Sequence, residues 1–316
     1  MFLSVQKSDF QTIVDHALRQ TLADFASIKL APDELAVTLV DLRDPANPVW
    51  ASYRGDVLIY PASVIKLFYL QAAHAWLERG QLADTEELRR ALHDMIVYSY
   101  NEATGYVIDL LTGSTSGPEL PPGELALWHD RRNAVNRYFA SLGYTDINVN
   151  KKPWCEGPYG RETQAIAAYD PKRNWLTTDA AARILVEIAT GRAVTTERSR
   201  QMLALLQRDF VHALGLDPVL AASGHENQAT DFTARGLPVD ARLWSKAGYT
   251  SATRHDAAYI ELPDGHRFVL VTFTVNHSAE KAIIPTVTRL VCQGLTAAPQ
   301  DAAGARVCDP QHAEKP

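Results

Sequence analysis

The distribution of strand-forming segments is the feature of this sequence that most constrains its fold. Two β-rich segments lie near the N-terminus, at residues 35–42 and 49–53, joined by a turn. Three more follow Gly236, after a long stretch that is helical between its loops. Because strands and helices are segregated in this way, we expect the strands from both ends to close one antiparallel sheet.

This order of elements predicts an α+β fold with two lobes. One amphipathic helix at each end of the chain would cover one face of the sheet. We expect residues 1–62 together with 235–295 to form this α/β lobe and residues 63–234 to form an all-helical lobe. Residues 296–316 are rich in Ala, Pro and charged residues and predict a flexible tail. A cleft between two lobes is the usual place for an active site.

Composition excludes several classes of function. The chain is 46% hydrophobic and 22% charged, which is ordinary for a soluble globular protein. Its formal net charge of −6 argues against a nucleic-acid partner, which normally requires a basic patch. No apolar run of about 18 residues is present, so no membrane span is predicted. We therefore expect a monomer that acts on a small-molecule substrate.

The N-terminal residues lack a basic segment followed by an apolar stretch, so the chain as given predicts no signal peptide. Neither Cys-x-x-Cys nor His-x-x-x-His spacing occurs, so no metal or other cofactor is predicted. The three cysteines, Cys155, Cys292 and Cys308, are too few for a disulfide framework. Cys292 and Cys308 either pair across the C-terminal tail or stay free thiols.

Ser63 and Lys66 stand at the junction between a polar turn and an apolar helix. Residues three apart on a helix lie about 5–6 Å from each other, so the lysine amine can reach the serine hydroxyl. The helix start also offers unpaired N–H groups that can stabilise an oxyanion. A capping serine and a surface lysine would give the same pattern, and Ser278 and Lys281 repeat it at the start of the last predicted helix, which we expect to begin at Ser278.

Two further pieces accompany this pair. Ser99 and Asn101 lie in a turn between two predicted helices, where such residues are ordinarily N-caps. Lys246 lies on the first strand after the helical segment, where a lysine is ordinarily a solvated edge residue. Each piece is weak alone, but together they occur in a fixed order and at element ends.

In this combination the sequence resembles the superfamily of class A β-lactamases and penicillin-binding proteins, whose signature is Ser-x-x-Lys, Ser-Asp-Asn and Lys-Thr-Gly. The corresponding segments are Ser63-Val-Ile-Lys66, Ser99-Tyr100-Asn101 and Lys246-Ala247-Gly248. Tyr100 replaces the Asp of the second motif and Ala247 the Thr of the third. The resemblance covers residues 8–294 and implies a divergent member with a β-lactamase/transpeptidase-like fold, in a superfamily that is usually exported to the periplasm or secreted.

The resemblance also implies roles for individual residues. Ser63 would be the acylated nucleophile, Lys66 its base or proton relay, and Ser99 the donor of a proton to the leaving nitrogen. Asn101 would bind the amide carbonyl of the substrate, and Lys246 its carboxylate.

Gly248 is the last residue of the third motif and lies beside the substrate in the family. The next residue is Tyr249, and its backbone N–H would form the oxyanion hole together with the backbone N–H of Ser63. Arg254 is a candidate second contact for an anion, or a cation on the strand surface.

Departures from the family pattern concern the second half of the reaction. The Glu-x-x-Leu-Asn motif of hydrolytic members is missing. Glu162 lies at the expected distance before the next helix and is the candidate base for water, with Glu156 as a weaker one. Either could instead be a solvated loop residue. Ala247 lacks a hydroxyl for the substrate carboxylate, which Thr250 or Ser251 would have to replace.

Three functions therefore remain open from the sequence. The first is a serine hydrolase that opens β-lactams through an acyl-enzyme on Ser63. The second is a D,D-peptidase or esterase on the same fold. The third is a degenerate member that binds a cell-wall fragment or a partner without turnover.

Overall fold

A single antiparallel sheet organises the molecule, with strand order β2-β1-β6-β5-β4-β3. The computed structural model describes residues 7–154, 156–209 and 231–297. The strands are β1 (Leu35–Asp41), β2 (Val49–Tyr53), β3 (Gln207–Arg208), β4 (Arg242–Tyr249), β5 (Thr253–Glu261) and β6 (Arg267–Val275). Strands from both ends of the sequence thus pair directly, since β1 lies beside β6.

Most of the remaining described residues are helical. The α-helices are α1 (Lys7–Asp24), α2 (Lys66–Glu78), α3 (Glu86–His93), α4 (Asn101–Thr112), α5 (Pro122–Arg132), α6 (Ala134–Ser141), α7 (Arg161–Ala168), α8 (Thr178–Ala189), α9 (Thr196–Leu206) and α10 (Ile283–Thr296). A π-helical turn, Asp94–Tyr98, follows α3. None of the described helices is long and apolar enough to cross a membrane.

The sheet is the middle of three layers, so its central strands are apolar on both faces. On β6, Val269, Val271 and Phe273 pack toward the helical segment, whereas Phe268 and Leu270 pack toward α1 and α10. The alternation of side chains along a strand produces this division. As predicted, the helices of the two chain ends cover one face of the antiparallel sheet.

Helix α8 lies between the sheet and the other helices, and its first turn is tied to β1. The Thr38 hydroxyl donates to Asp179 at 2.6 Å and lies 2.8 Å from the Thr178 hydroxyl. Thr177 caps the helix by accepting from the amide of Ala180. These bonds fix helix α8 on β1.

Several element boundaries differ from the sequence expectations. Helices α5 and α6 are separated only by Asn133, whose side chain donates to the carbonyl of His129. Strand β3 lies within the segment expected to be all-helical. The division into two lobes remains a prediction, and the predicted tail lies outside the described residues from 298 onward.

The second Ser-x-x-Lys pair does not lie on a helix. Helix α10 begins at Ile283 rather than at Ser278, and the Ser278 hydroxyl donates to the carbonyl of Ser251. Cys292 is buried, and burial raises the pKa of its thiol to about 12. Cys308 lies outside the described residues, as does Cys155, so the pairing of Cys292 with Cys308 stays a prediction.

Candidate active site

Ser63 lies in a 3-10 turn, Ala62–Ile65, that leads into α2. It was expected to open the helix itself, but α2 begins at Lys66. Ala62 has a φ of +45°, in the left-handed region, which costs a residue with a side chain about 1–2 kcal/mol. The half-buried Ser63 makes no capping hydrogen bond. This strained turn therefore presents a serine hydroxyl that is not engaged in closing the helix.

Lys66 is fully buried and holds the two serines together. Its Nζ donates to Ser63 Oγ at 3.0 Å and to Ser99 Oγ at 3.1 Å. It also donates to the Ser99 carbonyl at 2.6 Å and to Asn101 Oδ1 at 2.9 Å. A surface lysine would make none of these contacts, so the ordinary interpretation of this lysine does not hold.

Ser99 and Asn101 are held by local backbone geometry rather than serving as caps. Ser99 ends the π-helical turn with a φ of +61°, a left-handed conformation that is rare for serine. Tyr100 is the N-cap residue of α4, and no side chain caps that helix. Asn101 uses its Nδ2 to donate to the Trp154 carbonyl at 3.2 Å. Both side chains are thus directed at the cluster around Lys66.

Lys246 approaches the same hydroxyl from β4. Its Nζ donates to Ser99 Oγ at 2.9 Å and to the Ala247 carbonyl at 2.7 Å, and the residue is fully buried. It is therefore not a solvated edge lysine. The three motifs, far apart in sequence, meet in one hydrogen-bonded chain of Ser63, Lys66, Ser99 and Lys246.

Two amines on one hydroxyl make the electrostatics of this chain unusual. Burial holds the pKa of Lys246 well below its ordinary range, and the positive charges of Lys66 and Arg208 lower it further. Asp256, buried on β5, opposes this shift. Burial and the two neighbouring cations thus favour the neutral amine of Lys246.

Gly248 lets β4 pass directly against the Ser63 turn. A Cβ built on Gly248 would lie 2.7 Å from the Ser63 nitrogen and 2.9 Å from both the Pro61 oxygen and the Val64 nitrogen. Any side chain would therefore push the strand away. Tyr249 follows and is 39% exposed, so this edge of the strand opens to solvent beside Ser63.

Among the described residues, β3 covers only one end of the outer edge of β4. Strand β3 pairs with β4 only at Leu243 and Trp244. Beyond them, among the described residues, the outer edge of β4 faces the Ser63 turn instead of another strand. An extended substrate could align along this edge and present a carbonyl to Ser63 Oγ.

Arg254 is buried, so its interpretation as a cation on the strand surface is wrong. It is 1% exposed, and its guanidinium stands 3.9 Å from the centroid of the Phe232 ring. It pairs with Tyr249 across β4 and β5. Its expected role as an anion contact remains a proposal.

Glu162 forms its hydrogen bonds with Arg132 and Ser116, two residues that the sequence did not point to. It lies on α7, is 3% exposed, and both carboxylate oxygens accept from the buried Arg132, at 2.7 and 2.9 Å. Ser116 donates to the same carboxylate at 2.8 Å. The alternative of a solvated loop residue is therefore wrong, whereas the role of Glu162 as the base for water remains a prediction. A buried guanidinium requires a carboxylate partner, and Glu162 supplies it.

Ala247 stands where the family motif has a threonine, and Thr250 was one of the two residues expected to replace the missing hydroxyl. Ala247 is buried against Phe232 and Ile284. The Thr250 hydroxyl accepts from the backbone of Ala252 and Thr253, which closes the turn. Thr250 is thus engaged locally.

His255 was not anticipated from the sequence. It is fully buried on β5, its Nδ1 accepts from the Thr274 amide at 3.1 Å, and its Nε2 lies 2.9 Å from the Tyr60 carbonyl. This arrangement requires the tautomer protonated at Nε2. His255 thereby ties the sheet to the residues that precede Ser63, and a lone histidine on a strand gives no sequence signal for such a role.

Within the described residues, no group of three His, Cys, Asp or Glu side chains is placed to hold a metal ion.

Comparisons with known proteins agree with the fold. A family model described as Beta-lactamase enzyme family matches residues 83–295, a range that includes Ser99, Asn101 and Lys246 but not Ser63. A β-lactamase from Sphaerobacter thermophilus is 21% identical, with a TM-score of 0.61 over 88% of this chain and 96% of that one. A β-lactamase from Xanthomonas campestris is 16% identical, with a TM-score of 0.64 over 89% and 98%.

A variant of PBP-A, solved as an acyl-enzyme complex with penicillin G, is 18% identical, with a TM-score of 0.59 over 92% of this chain and 97% of that one. No curated protein matches this chain. The fold is therefore the one that class A β-lactamases share.

Proposed function

The chain belongs to the β-lactamase enzyme family, and from this premise we propose that it is a serine hydrolase that opens β-lactams through an acyl-enzyme on Ser63. The observation that carries the proposal is the hydrogen-bonded chain Ser63–Lys66–Ser99–Lys246, with contacts of 3.0, 3.1 and 2.9 Å. A nucleophile, a base and a proton donor in mutual contact are the requirement for acyl transfer.

Acylation begins when Lys66 passes its ammonium proton through Ser99 to the amine of Lys246, and the Ser63 hydroxyl then transfers its proton to the neutral amine of Lys66. The oxygen attacks the β-lactam carbonyl and forms a C–O bond, giving a tetrahedral oxyanion. The C–N bond then breaks, and Ser99 gives its proton to the leaving nitrogen. Ser99 recovers a proton from Lys66 or Lys246, since both amines contact its Oγ. The ring is open, and the acyl group remains on Ser63 as an ester.

The oxyanion is assigned to the backbone amides of Ser63 and Tyr249. The close approach of β4 to the Ser63 turn at Gly248 supports this assignment, because it brings the two segments together. Each such donor contributes about 3–4 kcal/mol to the stability of the transition state. Asn101 is proposed to hold the amide of the acyl side chain.

Intact-mass spectrometry after incubation with benzylpenicillin tests the nucleophile. We expect an adduct with the parent protein, none with Ser63→Ala, and an undiminished one with Ser278→Ala, which alters the second Ser-x-x-Lys pair. An adduct that survives Ser63→Ala would refute the proposal. No adduct with the folded parent protein would favour the non-catalytic alternative.

The second candidate function, a D,D-peptidase or esterase, is favoured by the position of Glu162. Its carboxylate is neutralised and occupied by Arg132, so the residue expected to activate water is not free to do so. Water must then attack the ester with another base, and a long-lived acyl-enzyme follows. A short ester or peptide would be a better substrate than a β-lactam in that case.

Turnover of a chromogenic cephalosporin against a short ester separates the two candidates. Rapid, repeated hydrolysis of the cephalosporin would favour the β-lactamase. One equivalent of rapid reaction followed by slow turnover, together with fast ester hydrolysis, would favour the peptidase or esterase.

A further inference from the structure

A cavity of about 380 Å³ adjoins the proposed active site, between one face of α4 and residues 152–154. Asn101 lies at its boundary, and the same side chain accepts from Lys66. A substrate whose acyl side chain is held by Asn101 could therefore extend that side chain into the cavity. We propose that it receives this side chain and selects for one that bears an ammonium group, an inference that rests on the proposed function.

Two carboxylates and two aromatic rings line the cavity. Glu102 and Asp109 come from α4, together with Tyr106, and Trp154 comes from the opposite wall. Carboxylates bind ammonium groups through charge-assisted hydrogen bonds, and aromatic faces attract them through the ring quadrupole. Tyr106 is 43% exposed, which leaves its ring accessible from the mouth of the cavity.

One cation, Lys152, also lines the cavity, but its donors are engaged. Its Nζ lies 2.7 and 2.9 Å from the two oxygens of Asp109 and donates to Ser116 Oγ at 2.9 Å. Lys152 is 7% exposed. The formal charges of Glu102, Asp109 and Lys152 therefore sum to −1 along the lining, −1 −1 +1.

The floor of the cavity is rigid, which allows it to discriminate. Ser116 links Lys152 to Glu162, and Glu162 is held by Arg132. Gly105, in the middle of α4, leaves the space open, since a Cβ there would come within 3.8 Å of the Lys152 side chain. A larger residue at this position would occupy the cavity without straining the helix.

Three penicillins test the inference, because they differ at one carbon of the same side chain. Ampicillin carries an ammonium group there, benzylpenicillin a hydrogen and carbenicillin a carboxylate. The second-order rate constant for acylation of Ser63, measured by rapid-quench mass spectrometry at neutral pH, is expected to fall in that order. The ratio of ampicillin to carbenicillin should be about tenfold or more, as expected for one partly buried charge contact with aromatic support.

Two variants test whether the cavity determines the ratio of the ampicillin and carbenicillin rate constants. In Glu102→Gln the ratio should fall toward one, and in Gly105→Leu, which fills the cavity, it should fall as well. Glu280→Gln removes the same charge on the other side of the sheet, beside α10, and should keep the parent ratio.

If all three penicillins acylate Ser63 with equal rate constants, this inference is wrong and the proposed function still stands. A ratio that survives both cavity variants would overturn it too. The absence of any adduct would overturn both.

Discussion

Gly248 shows how a single residue controls the geometry of the proposed site. Its missing side chain permits β4 to lie against the backbone of the Ser63 turn, and the turn itself is held from β5 by His255. The proposed oxyanion donors are backbone groups, so their positions depend on this approach rather than on any side chain of their own.

Replacement of Gly248 by alanine should therefore abolish most activity. The added Cβ would meet the Ser63 nitrogen at 2.7 Å, so the strand and the turn must separate. We expect the acylation rate constant to fall by about 10²–10³, the effect of losing one oxyanion donor. Gly123→Ala is the control, since nothing lies within 4 Å of its added Cβ. An unchanged rate in Gly248→Ala would show that the oxyanion is held elsewhere.

The cluster of Ser63, Lys66, Ser99 and Lys246 was predictable because the three segments match the family motifs in type and order. The contacts of Glu162 were not predictable in this way. Spacing along the chain placed it near the nucleophile, but the partner that captures it, Arg132, comes from another helix. Such a contact depends on tertiary packing, and no local sequence pattern predicts it.

At the level of elements, the contact between α5 and α7 is a buried ion pair. Arg132 and Glu162 are 1% and 3% exposed, and Ser114 and Trp128 complete the surroundings of the guanidinium. Periodicity could not reveal α7, since its sequence is only partly apolar and is surrounded by turn residues. Strand β3 has two residues, too few for any periodic pattern.

Glu162→Gln distinguishes a structural from a catalytic carboxylate. A structural role predicts a loss of about 3–5 kcal/mol in the free energy of unfolding, because Arg132 would keep its charge in a buried site without an ionised partner. Urea denaturation measures this loss. The double variant Arg132→Met with Glu162→Met should recover part of it, since it removes both charges.

The contrary result would be a variant of normal stability whose acyl-enzyme no longer hydrolyses. That outcome would restore Glu162 as the base for water, despite its contacts with Arg132 in this structure.

For the whole molecule, stability depends on apolar packing on both faces of one sheet, which also buries groups that titrate. His74 on α2 is 4% exposed, and neither ring nitrogen has a hydrogen-bond partner among the described residues. Burial lowers the pKa of His74 to about 4, and burial lowers that of His255 to about 4 as well. Both histidines are therefore neutral in the folded protein and gain protons on unfolding in mild acid.

The free energy of unfolding should accordingly decrease as the pH falls below 6.5, the ordinary pKa of histidine. The unfolded chain binds a proton that the folded protein does not, so each histidine removes about 2–3 kcal/mol between pH 6.5 and about 4. Denaturant unfolding at a series of pH values should show a shallower decrease for His74→Phe than for the parent. Parallel curves would mean that His74 is charged when folded.

The general architecture followed from the sequence because strands at both ends of a chain leave few ways to complete a sheet. Its connection to α8 through Thr38 and Asp179 did not, since it depends on the register of β1. The same limit applies to the cavity beside Asn101, which arises only when α4 and residues 152–154 are brought together.

Mapping the acylated residue tests the central claim most directly. Trypsin releases residues 55–66 as one peptide, and Ser63 is its only serine. After brief reaction with benzylpenicillin and acid quenching, we expect the adduct on Ser63 in this peptide, and none on the peptide of residues 268–281, which contains Ser278. An adduct on any other residue, or an unmodified 55–66 peptide from folded protein, would contradict the assignment of Ser63 as the nucleophile.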